Sequence, residues 1–224
     1  MPEIRRQFHD DMAELERVVL RMGEEARDAV SHATRAIVTG DPDEADSALV
    51  EKADVDHQAL EFERLWLQTM ALQTPVAVDL RTMSVLQSVA HSVVRVAAQA
   101  GNIARIVLDT VDMPRDEVIV AQLREMGEHT DPMLRMAFEA LELRDPTVHA
   151  RLDEMDDPVD AISRNMYREV VRCADDEEAL AWATRALIAS RAFERVGDRS
   201  VSIAEQVVFL VSGEVGGSFD DDVE

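Results

Sequence analysis

Glu194 and Asp198 stand four residues apart in the stretch Arg191-Ala-Phe-Glu-Arg-Val-Gly-Asp-Arg-Ser-Val-Ser-Ile-Ala-Glu205. On a helix that spacing puts both carboxylates on one face, one turn apart. Glu205 drifts only slightly from the same stripe. Neighbouring carboxylates repel, so they stay ionised together only beside solvent, an arginine or a cation. A metal site is one answer. A solvated acidic face is another, and Arg191, Arg195 and Arg199, which form their own row beside the acids, could neutralise them without a metal. Gly197 lies between the two acids. Glycine costs about 1 kcal/mol against alanine inside a helix, so its presence points to close approach of another backbone.

The rest of the chain is composed to build helices. Hydrophobic residues make up 46% of the 224 residues and aromatic residues 4%. Ala, Leu, Val, Met, Glu and Arg dominate, which implies an all-α fold. The formal net charge is −23 and Lys52 is the only lysine. Such a surface argues against direct binding to nucleic acid or anionic lipid, which need a basic footprint. It also reads as a surface suited to high salt, where repulsion is screened, as in halophilic proteins. Cys173 is the single cysteine, which excludes an intrachain disulfide and a zinc–thiolate cluster. No signal peptide and no membrane-length apolar run is visible, so a cytoplasmic location is expected.

Helical periodicity and breaks divide the chain into six segments: about 3–39, 43–73, 76–109, 116–143, 148–173 and 177–211. Gly40-Asp41-Pro42, Thr74-Pro75, Asp112-Met113-Pro114 and Arg144-Asp145-Pro146 supply breaks. Leu60, Leu67 and Leu80 are among the expected core positions. Residues 213–224, with glycines and acids, read as a disordered acidic tail. The two halves match in register. Gly23-Glu24, Asp41-Pro42 and Val55-Asp56 recur 104 positions later as Gly127-Glu128, Asp145-Pro146 and Val159-Asp160. Arg95 and Ile103-Ala104 recur 100 positions later as Arg195 and Ile203-Ala204. A duplicated unit of three antiparallel helices explains this: residues 1–113, residues 114–212 and the tail.

Phe193-Glu194-Arg195-Val196-Gly197-Asp198 and Ser202-Ile203-Ala204-Glu205 resemble the signature of the PhoU family, regulators of phosphate-specific transport. Asp79-Leu80-Arg81 and Gly101-Asn102-Ile103-Ala104 fit the corresponding part of its first repeat. The resemblance covers about residues 5 to 211 and implies a six-helix bundle of two three-helix repeats. It also implies metal clusters built from paired acid motifs on neighbouring helices. In the second repeat these fall on Asp156 and Asp160 of the middle helix and on Glu194 and Asp198 of the last. Glu154, Asp157 and Glu205 are candidate additional ligands. Oxygen-only ligands suit hard cations, namely Mg, Ca, Mn or iron. The first repeat departs from the pattern: Lys52 replaces Asp156, Val94 replaces Glu194 and Ala98 replaces Asp198, leaving Asp56 alone. A metal ion is therefore expected in the second repeat only.

The function implied by the resemblance is non-enzymatic regulation of phosphate uptake. It would work through contact with the ATPase subunit of a phosphate ABC transporter and, where one exists, a sensor histidine kinase. The resemblance further implies a homodimer, and membrane contact only through the transporter. A carboxylate-bridged metalloenzyme is the competing class. Asp54-Val-Asp-His57 carries half of a di-iron motif, but a partner motif is missing. No phosphate-binding glycine loop, nucleophile elbow or Cys/His pair is present. A metal-free helical scaffold is the third alternative.

Overall fold

Gly40 ends the first helix. Its φ of 76° lies in the left-handed region that glycine adopts without cost, and its amide donates to the Ala36 carbonyl at 2.7 Å. The computed structural model describes residues 2–73 and 75–214. Among these are six α-helices and no strand: α1 Pro2–Thr39, α2 Pro42–Gln73, α3 Val78–Asp109, α4 Glu117–Leu143, α5 Val148–Arg172 and α6 Glu177–Ser212. Each falls within two residues of its expected bounds. Residues 215–224, most of the segment read as an acidic tail, lie outside the described residues.

Local chemistry sets the helix ends. Asp116 accepts from the amides of Val118 and Ile119, both at 3.0 Å, and Asp176 does the same for Glu178 and Ala179. These side chains satisfy amides that have no partner inside the helix. The Arg115 guanidinium donates to the carbonyls of Ile37 and Val38 at 2.6 and 2.7 Å. A residue between the repeats thereby closes the C-terminus of α1 with a cation, where the helix dipole favours one.

Each repeat packs its three helices on one another. Across the repeats α1 meets α4 and α3 meets α6, while α2 and α5 contact only their own repeat. The α1–α4 crossing shows the duplication in its contacts. A Cβ on Gly23 would lie 2.6 Å from the Phe138 ring, and one on Gly127 would collide with Thr34. Residues 23 and 127 are equivalent, as are 34 and 138, so the crossing is antiparallel about a pseudo-two-fold axis. Near that axis Arg27 donates to Asp131 at 2.7 Å, joining two equivalent positions 104 residues apart by opposite charges. The core behind these contacts is aliphatic and sulfur-rich, with Leu15, Met22, Met83, Leu86, Met126, Met133 and Leu134 buried alongside Phe193.

Three expected core positions are solvent-facing: Leu60 is 66% exposed, Leu67 55% and Leu80 45%. Leu60 and Leu67 lie on α2, which packs on α1 and α3 but on nothing beyond them, and Leu80 lies in the first turn of α3. Leucine spacing alone does not distinguish that open side from the packed one. Trp66, which donates to the Met83 carbonyl at 2.9 Å, and Trp182, which is buried, anchor the packing.

Candidate metal centre

The last helix of the second repeat is pinned along its buried edge by Phe193, Val196, Ile203 and Val207. That edge fixes which way Glu194 and Asp198 face. On α5, buried Leu152, Val159 and Ser163 orient the strip carrying Asp156 and Asp160. The two strips meet where α5 packs on α6.

Asp156, Asp160 and Asp198 each offer a carboxylate oxygen, and these three atoms lie within 4.8 Å of one another. Carboxylates so close repel, and solvent, an arginine, a shared proton or a cation relieves them. Asp156 carries most of the strain. Its Oδ1 is buried and has no hydrogen-bond partner among the described residues. Burial first, then the charges of Asp198, Asp160, Asp153 and Glu194, push its carboxyl up to about 7. The Asp198 carboxyl is raised as well, by burial and then by Glu194 and Asp160, with Arg199 and Arg195 opposing.

Gly197 has its explanation here. A Cβ at this position would collide with Asp156 Oδ1. The close approach foreseen for this glycine is made by a carboxylate of α5, not by a second backbone. An unpartnered buried oxygen, a glycine that makes room for it and two further carboxylates form an all-oxygen donor set that fits a hard cation.

Glu194 is held apart from that trio. Its Oε2 accepts from Ser163 Oγ at 2.8 Å and from Arg191 Nη1 at 2.6 Å. Burial works to raise its carboxyl, but the Arg191 and Ser163 hydrogen bonds outweigh it and leave the group below its ordinary value. Asp160 also carries an arginine, Arg164 Nη1 at 2.9 Å. Glu205 is distant in role: its side chain is about half exposed and faces His149 Nε2 at 3.7 Å. Glu154 and Asp157 are exposed. Spacing marks Glu194 and Asp198 and the family resemblance adds Asp156 and Asp160, but neither points to the Ser163 contact. Ser163 is a small, buried polar residue 31 positions from Glu194, and nothing in the sequence pattern marks it.

In the first repeat the equivalent place is filled differently. The Lys52 ammonium pairs with Asp56, four residues on along α2. Val94 is partly buried against the core and lines a groove of about 220 Å³ with Ala59, Phe62 and Trp66. No helix is long and apolar enough to cross a membrane among the described residues.

The PhoU domain model matches this chain twice, over residues 19–107 and 123–207, one match in each three-helix unit. The phosphate-specific transport system accessory protein PhoU homolog of Zymomonas mobilis is 26% identical over 207 residues, covering 92% of this chain and 87% of that protein. PhoU of Escherichia coli K12, described by the same accessory role, is 25% identical over 216 residues, covering 94% and 89%. The crystal structure of PhoU from Pseudomonas aeruginosa superposes with a TM-score of 0.87 at 22% identity, covering 92% of this chain and 100% of that one. The same six-helix fold is therefore shared at low identity. With both three-helix units matched, this chain belongs to the PhoU domain family.

Proposed function

We propose that this protein is a non-enzymatic regulator of phosphate uptake that acts by protein contact with a phosphate ABC transporter, through its ATPase subunit. Where a partner sensor kinase exists, contact with that kinase is the second route. The reading is carried by the family match in both repeats, together with curated relatives described as phosphate-specific transport system accessory proteins. A cytoplasmic location and a dimer of two copies are part of this proposal.

The second repeat adds a metal-dependent element. Asp156, Asp160 and Asp198 would hold the ion, with Glu194 kept in reserve by Ser163 and Arg191. A bound Mg, Mn, Ca or iron cation supplies neutralising charge and a tie between α5 and α6. The chain's own residues do the rest. Gly197 gives Asp156 room, the buried edge of α6 orients Asp198, and Arg164 holds Asp160. Loss of the cation leaves three carboxylates in mutual repulsion, which loosens the α5–α6 contact and changes the surface offered to a partner.

The Arg164–Asp160 and Arg191–Glu194 pairs favour a second reading, in which the bundle is a metal-free scaffold neutralised by its own arginines. Elemental analysis of protein purified in high salt separates the two. The regulatory reading is tested by pull-down of the transporter's ATPase subunit with the wild type, Asp156→Asn and Asp198→Asn. Capture by the wild type, weakened in both variants, is the expected result. No capture by the wild type at any salt or metal concentration would overturn it.

A further inference from the structure

Arg95 and Arg195 are equivalent residues of α3 and α6, 100 positions apart. Together with Gln99, Asp198 and Arg199 they line a single open cleft of about 440 Å³. The α3–α6 crossing is antiparallel: a Cβ on Gly213, at the end of α6, would collide with Arg81 near the start of α3. Residues 95 and 195 thus flank the same pseudo-two-fold relation that brings Arg27 to Asp131 at the α1–α4 crossing. There, opposite charges meet and form an ion pair. Here, like charges meet.

The chain has 46 acids for 23 basic residues, two carboxylates for every cation. Arg17, Arg27, Arg35, Arg144, Arg164, Arg172 and Arg191 all have one within 4 Å. Among the described residues none is recorded for Arg95, Arg195 or Arg199, nor any hydrogen-bond acceptor. One carboxylate, Asp198, lines the cleft with three guanidiniums, and Glu194 beside it also feels the charge of Arg195.

We propose that the cleft between α3 and α6 is a binding site for a multiply charged phosphate-type oxyanion, held by Arg95, Arg195 and Arg199. A guanidinium presents paired N–H donors that match the oxygen spacing of a tetrahedral oxyanion and stays charged at every working pH. Two or three such groups from two helices exceed what a halide can satisfy and suit phosphate or pyrophosphate. Asp198 also lines the cleft and opposes the anion, so a ligand must engage at least the Arg95–Arg195 pair to bind. The preference for phosphate over other oxyanions rests on the regulatory reading above; the arginine arrangement does not.

The test uses full-length protein in EDTA at fixed ionic strength, titrated calorimetrically with phosphate, pyrophosphate and sulfate. Saturable binding of phosphate or pyrophosphate, tighter than sulfate, is expected. Arg95→Gln and Arg195→Gln should each weaken it by about tenfold or more, the loss of one charge-assisted hydrogen-bonding group. Arg124→Gln, exposed on α4 outside the cleft, should leave it unchanged. Helicity and anion-free melting report folding separately, and Arg95→Gln should melt no lower than wild type because it relieves like-charge repulsion. Absence of saturable binding overturns the site, as does an affinity indifferent to both arginine changes. Sulfate equal to phosphate overturns the phosphate assignment. A failed anion titration beside successful capture of the ATPase subunit removes this site and leaves the regulatory reading standing.

Discussion

Lys52 and Asp156 occupy equivalent places on α2 and α5, and the two repeats balance charge there in opposite ways. In the first, the cation is built into the chain: Lys52 pairs with Asp56, and the facing positions on α3 are Val94 and Ala98. In the second, three aspartates crowd together with Arg164 on Asp160 alone, and a cation from solution is the proposed balance for the rest. Duplication supplied one scaffold. Divergence left one half closed by packing and an internal ion pair, and the other, on the proposal above, open to a cation. One repeat is therefore suited to a fixed shape and the other to a shape that responds to its surroundings.

The comparison breaks most readily on metal. A cation bound at one hundred times its dissociation constant stabilises the folded state by about 2.7 kcal/mol. For a chain of this length that is a rise in Tm of roughly 5–10 °C. Mn or Mg should produce that rise, EDTA should reverse it, and Asp156→Ala should abolish it. Asp56→Ala, the equivalent of Asp160→Ala, should leave it intact. Elemental analysis should find metal that Asp156→Ala removes and Asp56→Ala retains. Metal retained in Asp156→Ala and lost in Asp56→Ala would invert the assignment of the repeats.

The next effect is on pH. The Asp156 carboxyl titrates near 7 in the folded protein and near 3.8 when unfolded. Below about pH 3.8 both states hold the proton and the site costs nothing. Between about 3.8 and 7 the folded state binds more protons than the unfolded one, so stability falls as pH rises. Above 7 the cost is complete and flat. With solvent screening of this half-buried group, the loss should be of order 1–2 kcal/mol. In EDTA, urea midpoints should therefore drop between pH 4 and 7 in the wild type. Asp156→Asn should remove most of that slope, and Lys52→Gln should not. A slope unchanged by Asp156→Asn would remove the strained aspartate from the comparison.

The six helices were legible because their breaks carry strong local chemistry, such as Gly40 and the aspartate caps at Asp116 and Asp176. The duplication was legible too, and Gly23 and Gly127 recur because each faces a side chain of the other repeat across the α1–α4 crossing. Sequence spacing brought Glu194 and Asp198 forward, since residues four apart stack on one face of a helix, and the family resemblance added Asp156 and Asp160. Neither could separate Glu194 from the three aspartates. Whether that carboxylate joins the trio depends on Ser163 and Arg191, and hydrogen bonds between helices leave no periodic trace. The exposed side of α2 was illegible for a related reason: Leu60 and Leu67 follow the helical period, but the period does not say whether a neighbour stands opposite. The arginine cleft has the same origin. Arg95 and Arg195 could be paired by sequence offset, but only the antiparallel crossing of α3 and α6 brings them to one place.

The smallest effect separates two glycines on the inner helices. In a helix interior, alanine is favoured over glycine by about 1 kcal/mol where nothing collides. At Gly101 on α3 a Cβ would meet Lys52 Cγ at 3.5 Å and Leu49 Cδ2 at 3.7 Å, ordinary contact distances. Gly101→Ala should therefore stabilise the protein by roughly 0.5–1 kcal/mol, a gain of a few degrees in Tm, with metal response untouched. At Gly197 the same methyl group occupies the space of Asp156 Oδ1 and must push that carboxylate aside. Gly197→Ala should then show little or no gain in EDTA, lose the fall in stability between pH 4 and 7, and bind metal more weakly. Melting curves of the two variants with and without Mn measure all three. Equal gains at both positions, with the metal response intact at each, would show that the Asp156 carboxylate does not depend on the room that Gly197 leaves.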